Sequence, residues 1–152
     1  MAEFLGEFKA ILAGELVSGE VKPVIFPFDS SVIAKAHFVS REQAIQAVEK
    51  AQAGFKQSKK LTVLERVSIL EKVAGIVEER REEFARAITL EAGKPIKQSR
   101  TEVERCISTL KASAVEASKM EGKVIDLSVS KNGAGKIGIV RRFPVGIVFG
   151  IT

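Results

Sequence analysis

The sequence is poor in residues that bind metals or form disulfides. Its 152 residues include one cysteine, Cys106, and one histidine, His37. A single cysteine excludes an intramolecular disulfide, and these two residues cannot supply the four ligands of a Cys/His zinc site. Tryptophan and tyrosine are absent, and basic residues form no cluster with aromatic ones. We therefore expect no bound metal and no nucleic-acid partner.

Long hydrophobic runs are also absent. No stretch approaches the roughly 18 apolar residues of a membrane span, so we expect no membrane association. The start of the chain carries Glu3, Glu7 and Glu15, and it lacks the basic region and apolar core of a signal peptide. With a single cysteine, these features predict a cytoplasmic protein. Hydrophobic residues make up 45% of the chain, which is enough for a packed core.

The first 39 residues are predicted to form an N-terminal arm and short strands. Apolar residues up to Gly19 have a helical spacing, which predicts a short helix or a loosely held arm. Residues 24–26 and 32–36 are rich in β-branched side chains and flank a turn-forming stretch with Pro27 and Asp29. This pattern predicts two short strands.

Residues 40–122 carry the signals of amphipathic helices. Ser40 and Thr62 each begin the S/T-x-x-E/Q pattern of a capping box, which predicts helix starts at both positions. The first helix should run to about residue 57, and the second stretch is either one bent helix or two in succession. Gly93 and Pro95 predict a stop followed by a new helix over residues 95–120, with Gly122 ending it.

The last thirty or so residues change to strand character. Residues 124–129 favour a strand, and Asn132-Gly133 is a hairpin turn signal, so residues 123–143 are predicted to form a β-hairpin. Residues 144–152 are almost continuously apolar, which is typical of a strand buried on both faces of a parallel sheet. Such a strand needs neighbours on both sides, and this predicts that the sequence is truncated.

Four features could suggest a catalytic or binding site. For each of them, a purely structural interpretation is favoured. Residues 133–138 spell G-x-G-x-x-G, but strand-like residues follow instead of the helix that a dinucleotide fingerprint needs. Cys106 lies on an apolar helix face beside Ile107, which predicts an inert, buried or half-buried core thiol. His37 is predicted to be a surface histidine at a strand end. The acidic residues at 78–83 predict a solvated helix face, with Glu82 and Arg86 forming a surface pair.

One alternative without catalysis stays open at this point. Amphipathic helices with mixed charge also suit a binding or scaffold module. In that case residues 145–151 would be an interface strand that completes the sheet of another chain.

Four stretches, in order, carry a resemblance to a known family. They are residues 40–55, residues 61–70 (LTVLERVSIL), residues 90–96 (LEAGKPI) followed by Glu102-Val103, and residues 142–152 (RFPVGIVFGIT). Together they resemble the N-terminal part of the aldehyde dehydrogenase superfamily. The resemblance implies an α/β fold, with residues 40–122 in the helical part of a Rossmann-like NAD(P)-binding domain. Residues 123–143 would form a β-hairpin of the oligomerisation element, and 144–152 the first core strand.

The same resemblance carries expectations about function. It implies oxidation of a small aldehyde to its acid with NAD or NADP, in a protein that associates as a dimer or tetramer. Ile151 and Thr152 match the end of a strand that passes beside the adenosine side of the cofactor, and are expected to bind it. The family's catalytic Asn, general-base Glu and nucleophilic Cys would follow Thr152. The chain alone is therefore expected to have no catalytic residue and to be inactive.

Overall fold

The N-terminal region consists of strands in a computed structural model that describes residues 3–151. β1 (Gly6–Phe8) pairs in parallel with β5 (Val32–Phe38), and β2 (Ala10–Leu12) pairs with β3 (Glu15–Val17). Of the two alternatives for the residues before Gly19, the short helix is therefore wrong. Ala13 and Gly14 have φ angles of 54° and 86°, and they form a tight turn that reverses the chain. Strand pairing to distant β5 overrides the helical spacing of the apolar residues.

The two strands predicted after this arm are confirmed, with longer bounds. β4 (Glu20–Ile25) runs antiparallel to β5, so the sheet order is β1-β5-β4. The central strand contributes Ile33 and Ala34 to the interior, at 1% and 4% exposure. The turn between the two strands is fastened by Asp29, whose carboxylate accepts hydrogen bonds from the N–H and hydroxyl of Ser31.

Four helices follow, and both predicted capping boxes are present. They are α1 (Arg41–Ser58), α2 (Val63–Glu79), α3 (Arg81–Ala92) and α4 (Ile96–Ser118). Ser40 exchanges hydrogen bonds with Gln43, and Thr62 exchanges them with Glu65. The stretch after Thr62 is two helices, because the backbone of Arg80 leaves the helical region with φ −100° and ψ 20°.

The helical core lies where α2 and α3 pack on α4. Its buried cluster comprises Ala85, Val103 and Ile107, with exposures of 0%, 3% and 6%. The hydroxyls of Thr89 and fully buried Ser99 hydrogen-bond across the α3–α4 contact at 2.8 Å. This bond satisfies two polar groups that would otherwise be costly to bury.

The predicted hairpin is confirmed, but its turn differs from the prediction. β6 (Lys123–Asp126) pairs antiparallel with β7 (Ile137–Val140), and a longer connection contains a 3₁₀ turn at Lys131–Gly133. Asn132-Gly133 is thus not a tight two-residue turn. A Cβ added to Gly133 would lie 1.7 Å from the carbonyl oxygen of Leu127, so close backbone approach is what requires glycine there.

Residues 141–151 form neither helix nor strand. The side chains of Val145, Val148 and Phe149 are 78–90% exposed. A buried strand needs partners on both edges, and none of the strands described between residues 3 and 151 pairs with this segment. Residues 144–151 form no strand here, and the core strand expected over residues 144–152 remains a prediction.

Candidate functional site

The literal G-x-G-x-x-G sequence lies in the hairpin and not in a phosphate loop. Gly133 ends the 3₁₀ turn, and Gly138 lies within β7. A dinucleotide site of that type needs a helix N-terminus directly after the glycines. Since a strand follows instead, the hairpin interpretation is confirmed.

The prediction for Cys106 is wrong, because the thiol is exposed. Val103 and Ile107 are buried, and Cys106 lies at the edge of the stripe that they define on α4. Apolar neighbours in sequence therefore gave a misleading signal. Within residues 3–151, no hydrogen bond joins this thiol to a basic group.

His37 lies near the end of β5, as predicted, but it is not a surface side chain, because it is only 7% exposed. The ring Nε2 lies 2.8 Å from a carboxylate oxygen of Glu7, and Nδ1 accepts a hydrogen bond from the N–H of Gly19 at 3.1 Å. The imidazole thus links β1 to the start of β4. The hydrogen bond from His37 holds the pKa of the Glu7 carboxyl below its ordinary value.

The acidic residues at 78–83 lie on a solvated surface, as predicted, but Glu78 and Glu82 have their partners on α4. Glu78 pairs with Lys111 at 2.9 Å, and Glu82 pairs with Arg100 at 2.9 Å. Arg86 pairs with Glu3, so the expected Glu82–Arg86 pair is wrong. The guanidinium of Arg100 holds the pKa of the Glu82 carboxyl below its usual value. These bonds connect α2 and α3 to α4 and form no carboxylate pair suited to acid–base chemistry.

Ile151, one of the two residues expected to contact the cofactor, lies at the end of the described chain. Its side chain is 85% exposed, in a segment that pairs with no strand among the described residues. Thr152 lies outside the described residues. Among the described residues, no glycine-rich turn leads into a helix that would hold a pyrophosphate.

A cleft that the sequence did not predict lies between the end of α1, the start of α2 and residues 142–146. Its volume is about 460 Å³, and it contains the cationic side chains Lys59, Arg66 and Arg142. Its apolar walls comprise Phe55, Leu61, Val63, Met120, Phe143 and Pro144. These residues come from three separate parts of the chain, so no local sequence motif could predict the cleft.

Metal-binding clusters and membrane-spanning helices are both absent from residues 3–151. Within that range, no group of three or more His, Cys, Asp or Glu side chains is arranged to hold a metal ion. Among the same residues, no helix is both long enough and apolar enough to cross a bilayer.

Comparison with known proteins identifies the family. Residues 16–152 match the aldehyde dehydrogenase family. The chain is 37% identical over 139 residues to a lactaldehyde dehydrogenase from Methanocaldococcus jannaschii, covering 91% of this chain and 29% of the relative. The chain therefore belongs to the aldehyde dehydrogenase family, and it spans less than a third of that relative.

Solved structures of the family share the fold. Aldehyde dehydrogenase 21 from Physcomitrella patens, in complex with the product succinate, superposes with a TM-score of 0.88 at 31% identity. The match covers 95% of this chain and 30% of that one. The NADP-dependent glyceraldehyde-3-phosphate dehydrogenase from Bacillus halodurans, complexed with NADP, gives 0.86 at 28% identity, covering 92% and 30%. These likenesses confirm the expected α/β, Rossmann-like fold class.

Proposed function

We propose that this chain is the N-terminal part of an NAD(P)-dependent aldehyde dehydrogenase that oxidises a small aldehyde to its acid. The observation that carries the proposal is the superposition on aldehyde dehydrogenase 21 over 95% of the chain. That relative holds an acid product, and the Bacillus halodurans relative holds NADP. The test is formation of NADH or NADPH that depends on an added aldehyde, with the protein that the gene encodes.

The 152-residue chain by itself is proposed to be inactive. Its lone thiol, Cys106, is exposed on α4 and does not match the position of the family's nucleophile. Incubating the purified 152-residue chain with NAD+ or NADP+ and small aldehydes should give no reduced cofactor. Turnover by this chain would overturn the proposal of inactivity.

Ile151 and Thr152 are proposed to contact the adenosine side of the cofactor. The exposure of Ile151 supports this role, because an apolar side chain at 85% exposure has contact area to offer. Ile151→Asp should raise the KM for NAD(P)+ by roughly tenfold with a smaller effect on kcat, since it removes binding and not chemistry. Val129→Asp, at a position 96% exposed in the hairpin connection, is the matched control. Equal effects of the two changes would argue against the contact.

The β6–β7 hairpin is proposed to take part in a dimer or tetramer. Val124, Ile137 and Ile139 are 71–75% exposed on this ribbon, which is much apolar surface for two short strands. Light scattering after size-exclusion chromatography should find an oligomer, and Ile139→Lys should reduce its mass. A monomer at micromolar concentration would contradict this assignment.

The single cysteine supports a reducing, cytoplasmic location.

A further inference from the structure

The cleft between α1, α2 and residues 142–146 contains cations without acidic partners. None of the residues that line it is an aspartate or glutamate. Within residues 3–151, Lys59, Arg66 and Arg142 form no salt bridge, whereas Arg100 and Lys111 each pair with a glutamate on a neighbouring helix. The cleft therefore combines three cationic side chains with no carboxylate among the residues that line it.

Arg66 is the most informative of the three cations because it is half-buried on α2. Every buried side-chain nitrogen or oxygen among the described residues has a hydrogen-bond partner. Since the Arg66 guanidinium has none from residues 3–151, its nitrogens must reach the solvent of the cleft. A guanidinium presents several N–H donors in a planar fork that matches phosphate or carboxylate oxygens.

The nearest acidic residue in sequence does not neutralise this group. The carboxylate of Glu65 accepts hydrogen bonds from the N–H and the hydroxyl of Thr62, at 2.7 and 2.8 Å. It is thus committed to the cap of α2. Lys59 instead lies 5.9 Å from the ring centroid of Phe55, so its ammonium contacts an aromatic face.

We propose that this cleft binds a small organic anion, with a phosphate or carboxylate head at Arg66 and Arg142 and an apolar body between Phe55 and Phe143. Its volume of about 460 Å³ falls in the range of small-molecule sites, which are mostly apolar with a few convergent polar groups. Charge complementarity selects the head group, and the apolar walls select the body. Ile151 is not among the residues that line the cleft, and the proposal does not depend on aldehyde oxidation.

Isothermal titration calorimetry with phenyl phosphate tests the proposal, using the protein as its gene encodes it. Saturable binding at one site per chain is expected. Arg142→Gln should weaken it by about tenfold, because a charge-assisted hydrogen bond is lost. Arg142 is exposed and outside any helix or strand, so this change should leave the fold intact. Lys131→Gln is the matched control, since it removes the same charge from the opposite end of the hairpin and should leave binding unchanged.

Three further ligands separate the contributions of head and body. Benzoate should also bind if the carboxylate head is accepted, and its affinity relative to phenyl phosphate ranks the two head groups. Inorganic phosphate and benzyl alcohol should each bind at least about tenfold more weakly, because each lacks one half of the ligand. Absence of saturable binding by both phenyl phosphate and benzoate would overturn the proposal. Equal weakening by Arg142→Gln and Lys131→Gln, or phosphate binding as tightly as phenyl phosphate, would also overturn it.

Discussion

Gly93 ends α3 in a backbone conformation that other residues seldom adopt. Its φ is 68°, and its N–H donates to the carbonyl of Thr89 at 2.9 Å. An added Cβ would lie 3.3 Å from the ring of Pro27, in the turn between β4 and β5. The glycine therefore both stops the helix and lets the sheet approach it.

Replacing Gly93 by alanine should lower the free energy of unfolding by about 1–2 kcal/mol, the cost of the left-handed conformation for an L-residue. Gly75→Ala is the matched control, because Gly75 lies inside α2 and an added Cβ meets nothing within 4 Å. That change should raise stability by up to about 1 kcal/mol, since alanine favours the helix. Denaturant unfolding measures both. A similar loss of unfolding free energy in Gly93→Ala and Gly75→Ala would contradict the claim that the left-handed conformation is what requires glycine at position 93.

Adjacent Cys106 and Ile107 should differ sharply in their contribution to stability. Ile107 is 6% exposed in the helical core, whereas Cys106 is exposed. Ile107→Ala should cost about 2–5 kcal/mol through lost burial and a residual cavity. Cys106→Ala should change stability by less than about 0.5 kcal/mol. Thermal unfolding of the two variants checks this, and a costly Cys106→Ala would restore the expectation of a core cysteine.

At the scale of an element, α2 depends on its capping box. Thr62 accepts a hydrogen bond from the N–H of Glu65 at 3.2 Å, and Glu65 accepts one from the N–H of Thr62 at 2.7 Å. Thr62→Ala should therefore lower the free energy of unfolding by about 1 kcal/mol. Ser68→Ala, at an exposed position on the same helix, should have no comparable cost. Denaturant unfolding that finds equal costs would show that the cap is not the cause.

The same cap should make stability depend on pH. The backbone N–H of Thr62 holds the pKa of the Glu65 carboxyl below its ordinary value of 4.5. A carboxyl with a lowered pKa in the folded state stabilises the protein above that ordinary value, and this stabilisation is lost as the pH falls further. Glu65→Gln should thus flatten the stability profile below pH 4.5, measured by unfolding at several pH values. Glu71→Gln, outside the cap, is the control, and an equal flattening would contradict the cap's role.

Sequence patterns predict some elements better than others. The reason is how far apart in the sequence the interacting residues of each element lie. Ser40, Thr62 and Gly93 mark helix ends through bonds that span only a few residues, so their patterns are visible in the sequence. β1 forms by pairing Gly6 with Ala34, far along the chain, and no local pattern records that partner. The prediction for His37 failed for the same reason, because Glu7 and Gly19 reach it only after the sheet forms.

At the scale of the whole molecule, the candidate sites could be predicted only in part. Ile151 and Thr152 are indicated through the resemblance of residues 142–152 to the family, and no physical pattern at those two positions points to a cofactor. The cationic cleft unites residues near 59, 66 and 142. Their proximity is a property of the folded chain, so the sequence contained no signal for it.

The apolar surface of the molecule agrees with its place in a larger family. Val145, Phe149 and Ile151 are 82–90% exposed, and the chain covers about 30% of the two solved structures described above. Soluble proteins seldom leave so much contiguous apolar surface without a partner. We therefore expect these side chains to meet further parts of an aldehyde dehydrogenase.

Aldehyde-dependent reduction of NAD(P)+ is the activity that decides the proposed function. The protein that the gene encodes would be supplied with small aldehydes and with NAD+ or NADP+, and reduced cofactor would be followed by absorbance. We predict that NADH or NADPH forms only when aldehyde and oxidised cofactor are both present. Failure of every small aldehyde to reduce either cofactor, with a correctly folded protein, would contradict the assignment.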